Sequence, residues 1–177
     1  MSTSPLRIAL LGAESTGKST LAAALATHHH TVWVPEYLRE FVEEKQRTPQ
    51  EKEQYLIAST QLEREDDAAR AAGAFLFCDT TPLMTAIYSQ FYFGRIDAML
   101  ENLLRAHRYD FTIVTEPSTP WIADGLQRES DTVRQAVHKL LLATLAAEAI
   151  PFLLASGDVA ERVRQVNTYL PAEYQHP

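Results

Sequence analysis

Short apolar runs alternate along this chain with longer stretches in which apolar positions recur every three or four residues. The short runs are Leu6–Leu11, Thr31–Val34, Phe75–Cys78, Phe111–Thr115 and Phe152–Ala155. Runs of this length and residue type suit strands buried on both faces. The longer stretches begin with helix start signals. Thr48-Pro49-Gln50-Glu51 reads as a capping box with proline at the first helical position, opening a long helix to about Ala72. Thr81-Pro82 opens a second, to about Tyr92, and Ser130 or Asp131 caps a third that continues to about Glu148. A last helix starts at Asp158. Strands alternating with helices imply a parallel sheet covered on both faces. The expected fold is therefore a three-layer α/β domain with a five-stranded parallel sheet, occupying residues 1–177 as one unit.

Composition narrows the functional classes. At 177 residues the chain fits one domain, and its 46% hydrophobic and 22% charged shares are those of an ordinary globular protein. No apolar run reaches the roughly 18 residues that span a membrane. Met1 to Leu6 lacks the basic and apolar regions of a secretion signal. Cys78 is the single cysteine, which excludes an intramolecular disulfide and suits a reducing cytoplasm. Sixteen basic residues against 23 acidic ones give a net charge of −7, which argues against nucleic-acid binding by general electrostatics. Any bound phosphate must be held by a local device. His28-His29-His30 spread around a helix end and read as a solvated terminus, not a metal site.

That device is legible. Gly12-Ala13-Glu14-Ser15-Thr16-Gly17-Lys18-Ser19, followed by Thr20, matches G-x-x-x-x-G-K-[ST] between the strand Leu6–Leu11 and a helix over Ser19–Thr27. The glycines let successive N–H groups turn inward on phosphates, and the helix N-terminus adds its positive dipole end. Lys18 is placed to reach phosphate oxygens, and Ser19 to offer a hydroxyl to Mg²⁺. The implied ligands are ATP and Mg²⁺.

Three carboxylates follow strands and so reach the ligand edge of such a sheet. Asp79, after Phe75–Cys78, suits a Walker-B-type metal role. Glu36, after Thr31–Val34, suits a carboxylate that orients an acceptor hydroxyl and takes its proton. Arg39, one turn on, is placed to bind substrate or to pair with Glu36. Glu116 follows the fourth strand and meets the same positional test. Between that strand and the next helix, Trp121-Ile122-Ala123-Asp124-Gly125-Leu126-Gln127-Arg128 reads by itself as a surface loop with one solvated arginine, the alternative being a lid with Arg128 placed to neutralise departing phosphate. Tyr88, Phe91, Tyr92 and Phe93 cluster at helical spacing as core or as a stacking surface for an acceptor ring.

Taken together, residues 12–21, Val-Pro-Glu-Tyr-Leu-Arg-Glu-Phe (34–41), Cys-Asp-Thr-Thr-Pro-Leu-Met-Thr (78–85) and residues 121–128 resemble the ribosylnicotinamide kinase domain of the NadR type. The resemblance covers about Leu6 to His176. It implies phosphorylation of the ribose 5′-hydroxyl of nicotinamide riboside by ATP and Mg²⁺. It would make residues 12–20 the ATP loop, Asp79 the metal-side and Glu36 the acceptor-side carboxylate, and Asp124 to Arg128 the lid, with Arg162 beside the adenine. The family lid usually ends Asp-Gly-Leu-Arg, whereas Gln127 here precedes Arg128. Bifunctional relatives carry an adenylyltransferase domain, and this chain is too short to include one. The rival expectations are another nucleoside or nucleotide kinase, and an ATPase switch acting on a protein partner.

Overall fold

The computed structural model describes residues 4–106, 108–118, 120 and 130–174. Five strands, β1 (Leu6–Leu11), β2 (Trp33–Val34), β3 (Phe75–Asp79), β4 (Phe111–Thr115) and β5 (Leu153–Ala155), form one sheet in the order β2-β3-β1-β4-β5. Every pairing is parallel, with Leu10 opposite Asp79 on one side and opposite Ile113 on the other. The helices are α1 (Lys18–His28), α2 (Tyr37–Lys45), α3 (Gln54–Ala69), α4 (Pro82–Phe93), α5 (Ala98–Ala106), α6 (Asp131–Ala147) and α7 (Val159–Tyr169).

Alternation along β1 creates the layers. Ile8 and Leu10 pack with Leu21 and Leu25 of α1, Phe75, Phe77 and Val166 of α7. Ala9 and Leu11 pack on the opposite face with Met84 and Ile87 of α4 and Val137, Leu141 and Leu145 of α6. The sheet is thus apolar on both sides, as its short unbroken apolar runs require. No helix among the described residues is long and apolar enough to cross a membrane.

Several boundaries differ from the sequence expectation for local reasons. Strand β2 is two residues, not four, because Thr31 bonds elsewhere: its hydroxyl donates to Phe75 O and accepts from Gly73 N–H, at 2.7 and 2.8 Å. The capping box is not Thr48/Glu51 but Gln50/Glu53, at a short 3₁₀ turn before α3. Arg47 grips Glu53 with both Nη atoms at 2.7 Å, and Glu53 accepts from Gln50 N–H at 2.7 Å. That pairing holds Glu53 down to about 2, led by the hydrogen bond from Arg47. Helix α3 ends at Ala69, three residues early. Helix α5 went unanticipated, although Asp97 caps it, accepting from Met99 and Leu100 N–H at 2.8 and 3.0 Å. The histidine run is only partly solvated: His29 packs edge-on against Phe75 and bonds Asn167 at 2.8 Å.

Candidate active site

The phosphate loop leaves β1 at Gly12 and delivers the chain to α1 through Gly17 at φ 84°. Gly12 is required by proximity. A Cβ there would fall on Thr115 Oγ1 and within 2.8 Å of Thr16 Oγ1. Those two hydroxyls are 2.6 Å apart, and Thr16 also donates to Ala13 O at 2.8 Å, tying the loop to the end of β4. Lys18 Nζ donates to Ala13 O at 3.0 Å, across the mouth of the loop. Residues 14–20 with Glu36 and Arg39 line a cavity of about 160 Å³.

Asp79 ends β3 beside this loop. Ser19 Oγ donates to Asp79 Oδ2 at 2.5 Å, while Asp79 Oδ1 is buried without a hydrogen-bond partner among the described residues. Burial pushes Asp79 up to about 6; Lys18 opposes the shift and Glu36 adds to it. A hydroxyl and a carboxylate with an unused buried oxygen form a donor set suited to Mg²⁺, which takes few protein ligands and completes its shell with water and phosphate. The chain turns sharply after Asp79: Thr80 is at φ 68°, a strained value for a β-branched residue. Thr80 Oγ1 donates to Glu36 Oε1 at 3.2 Å, so the strand ends of β2 and β3 converge.

Glu36 is the N-cap residue of α2, yet its side chain caps nothing. Together with Glu14 it lines both the phosphate-loop cavity and a larger cleft of about 270 Å³. The cleft is walled by Leu38, Val42, Ile57, Tyr88, Tyr92 and Phe93, with Gln54, Gln61, Thr48, Pro49 and Thr85 among its other residues. The helical aromatics therefore divide. Tyr88, Tyr92 and Phe93 line the cleft, Tyr88 and Tyr92 stacked with centroids 6.2 Å apart, whereas Phe91 does not line it and packs, with the inner side of Tyr88, against the α4–α6 core.

Other sequence candidates lie elsewhere. Glu116 lines neither cavity; its N–H donates to Ala155 O at 2.9 Å and its carbonyl accepts from Arg162. Arg162, expected beside an adenine, is only 2% exposed and is used by the chain itself. Its Nη1 donates to Thr16 O, and its Nη2 donates to Glu116 O at 3.0 Å and to Ser118 Oγ at 3.3 Å. Trp121, Asp124 and Arg128 lie outside the described residues. Gln54, Gln61 and Thr80 were missed. Gln54, Gln61 and Glu65 are polar residues at spacings of seven and four on the buried face of α3, a signal present in the sequence.

A parallel sheet whose first strand enters a glycine loop and helix, with a carboxylate ending the adjacent strand, defines a P-loop nucleotide-binding domain. The chain belongs to the AAA_28 family of AAA domains, whose model matches residues 7–162. It is 34% identical over 151 residues to the trifunctional NAD biosynthesis/regulator protein NadR of Salmonella typhimurium (strain LT2), a match covering 82% of this chain and 37% of that protein. The chain thus spans little more than a third of the length of that curated relative. Among solved structures, a NadR protein in complex with NR superposes with a TM-score of 0.82 at 20% identity, covering 93% of this chain and 51% of that one. A NadR protein in complex with NAD and AMP-PNP gives 0.78 at 20% identity, covering 93% and 49%.

Proposed function

We propose that this chain is an ATP-dependent nucleoside kinase that transfers the γ-phosphoryl group of ATP to the ribose 5′-hydroxyl of nicotinamide riboside, giving the mononucleotide. One observation carries the reading: Glu14 and Glu36 line both the phosphate-loop cavity and the aromatic-walled cleft. A nucleoside whose ring lies against Tyr88, Tyr92 and Phe93 would thus present its hydroxyl where the two spaces meet. The NAD biosynthesis named for the Salmonella relative, and the NR and AMP-PNP held by the crystallised NadR proteins, support the choice of acceptor and donor.

In this reading the loop N–H groups and Lys18 hold the ATP phosphates. Glu36 accepts the proton of the acceptor hydroxyl as its oxygen bonds to γ-phosphorus and the bond to ADP breaks. Ser19 and Asp79 would hold Mg²⁺, which when bound would supply charge neutralisation on the transferring group. Arg39 borders the phosphate side and addresses the acceptor or its new phosphate. The enzyme works in the cytoplasm on a small-molecule substrate.

The test is phosphoryl transfer from ATP across a panel of nucleosides and mononucleotides, with Lys18→Ala as the control. Nicotinamide riboside is expected to give the highest kcat/KM, and folded Lys18→Ala to give no transfer. Equal ATP hydrolysis with and without every acceptor overturns the kinase reading.

A further inference from the structure

Gln61 lies on α3, lines the larger cleft but not the phosphate-loop cavity, and is 3% exposed. Its carboxamide Oε1 accepts from Tyr37 N–H at 2.8 Å, and its Nε2 donates to Pro35 O at 3.3 Å. One side chain therefore grips the residues immediately before and after Glu36. The same Nε2 reaches Asp79 O at 3.5 Å, joining that grip to the end of β3.

The chemistry of the site selects an amide. Pro35 has no N–H, so the turn offers one carbonyl on one side of Glu36 and one N–H on the other. A carboxamide meets both at once; a carboxylate has no donor for the carbonyls, and an ammonium has no acceptor for the N–H. Tyr37 N–H is also one of the orphan donors at the start of α2. The favoured N-cap side chains are the short ones of Ser, Thr, Asp and Asn, which accept from the second or third helical N–H, and Glu36 makes no such bond. Here Gln61 supplies an acceptor from another helix, and the Glu36 carboxylate instead meets Thr80 Oγ1 at the junction of the two cavities.

We propose that Gln61 is the positioning residue for Glu36, holding the turn 35–37 from α3 so that the carboxylate faces the acceptor hydroxyl instead of capping α2. The proposal rests on the reading of Glu36 as the acceptor-side carboxylate. It makes catalysis depend on a residue that does not line the phosphate-loop cavity.

The experiment is a double-mutant cycle on the purified chain with ATP, Mg²⁺ and nicotinamide riboside. Gln61→Met removes both hydrogen-bonding functions while keeping volume, and Gln61→Ala runs beside it. Each is made alone and with Glu36→Gln, and kcat, KM and ATP Kd are measured. Gln61→Met is expected to lower kcat about tenfold or more on the parent background, leave ATP Kd within about twofold, and add nothing to Glu36→Gln. An equal fall in kcat on both backgrounds overturns the proposal, because Gln61 would then act independently of Glu36. So does unchanged kcat, or a change confined to acceptor KM. Parent-like kcat in Glu36→Gln removes the underlying reading as well, and is distinguishable because it appears without any change at Gln61. If Gln61→Ala proves insoluble, the Gln61→Met pair decides alone.

Discussion

Ser19 Oγ lies 2.5 Å from Asp79 Oδ2, so the first turn of α1 and the end of β3 are joined through the two side chains suited to a metal ion. The other carboxylate oxygen is buried and unpartnered among the described residues. A buried acceptor without a donor costs free energy unless something else satisfies it. Asp79→Asn keeps the shape and removes the charge. Transfer should fall by about 10² or more, because the side chain that would hold Mg²⁺ against the phosphates loses its charge. Raised Mg²⁺ should restore the rate only in part. Normal rates at limiting Mg²⁺ would reduce Asp79 to a tether for Ser19.

Arg162 makes a second prediction, of the opposite kind. Its guanidinium bridges the phosphate loop at Thr16 O and the segment after β4 at Glu116 O, in a space where burial lowers its pKa from the ordinary value. A lysine ammonium lacks the planar fork that serves two carbonyls on different elements. Arg162→Lys should destabilise the fold by about 2 kcal/mol, the scale for a broken buried hydrogen bond to a charged group. It should also weaken ATP binding several-fold, because the loop loses a brace. Calorimetric ATP affinity and a denaturant midpoint check both; an unchanged midpoint would return Arg162 to a ligand-facing role.

These two arginine and aspartate cases mark what the sequence could convey. Asp79 was legible because a carboxylate ending an apolar strand has one place to go, the ligand edge of a parallel sheet. Strand order was expected only as far as parallel pairing, since short runs carry no information about neighbours. The resemblance set Arg162 beside an adenine, and its contacts to Thr16 O and Glu116 O were not legible, because a sequence position does not record how far a long side chain travels. Its partners, Thr16 and Glu116, are 146 and 46 residues away. Gln61 was invisible for the same reason, although glutamine in the apolar register of α3 was itself a sign of burial. The Thr48 box failed because a carboxylate two residues further on, Glu53, had a stronger partner in Arg47.

Glu65 makes the pH-dependent prediction. Its side chain is fully buried in α3, accepts from Tyr109 OH at 3.0 Å, and has Arg7 Nη1 at 3.6 Å, with Cys78 and Asp66 nearby. Burial raises it from 4.5 to about 7, against the pull of Tyr109 and Arg7. The folded protein therefore holds a proton that the unfolded chain has released between those values. Stability from this group is complete below about 4.5 and is lost as pH rises through about 7, a change on the order of 3 kcal/mol. Glu65→Gln mimics the protonated form. Its stability relative to the parent should rise by that order between pH 5 and pH 8, and a difference that stays flat over that range contradicts the assignment.

The aromatic wall gives the last prediction, which separates the acceptor side from the nucleotide side. Tyr92 is 43% exposed, stacks on Tyr88 and lines the larger cleft but not the phosphate-loop cavity. Truncating a side chain this exposed should cost the fold little, within about 1 kcal/mol. If an acceptor ring lies against this wall, Tyr92→Ala removes a stacking surface of the kind worth about 1–3 kcal/mol per base. Because that contact is the same in the bound substrate and in the transition state, the loss should appear in KM and leave kcat near the parent value. KM for nicotinamide riboside should rise about tenfold, while ATP Kd stays unchanged. A rise in ATP Kd instead would place the nucleotide, and not the acceptor, in the aromatic cleft, and would exchange the roles of the two cavities.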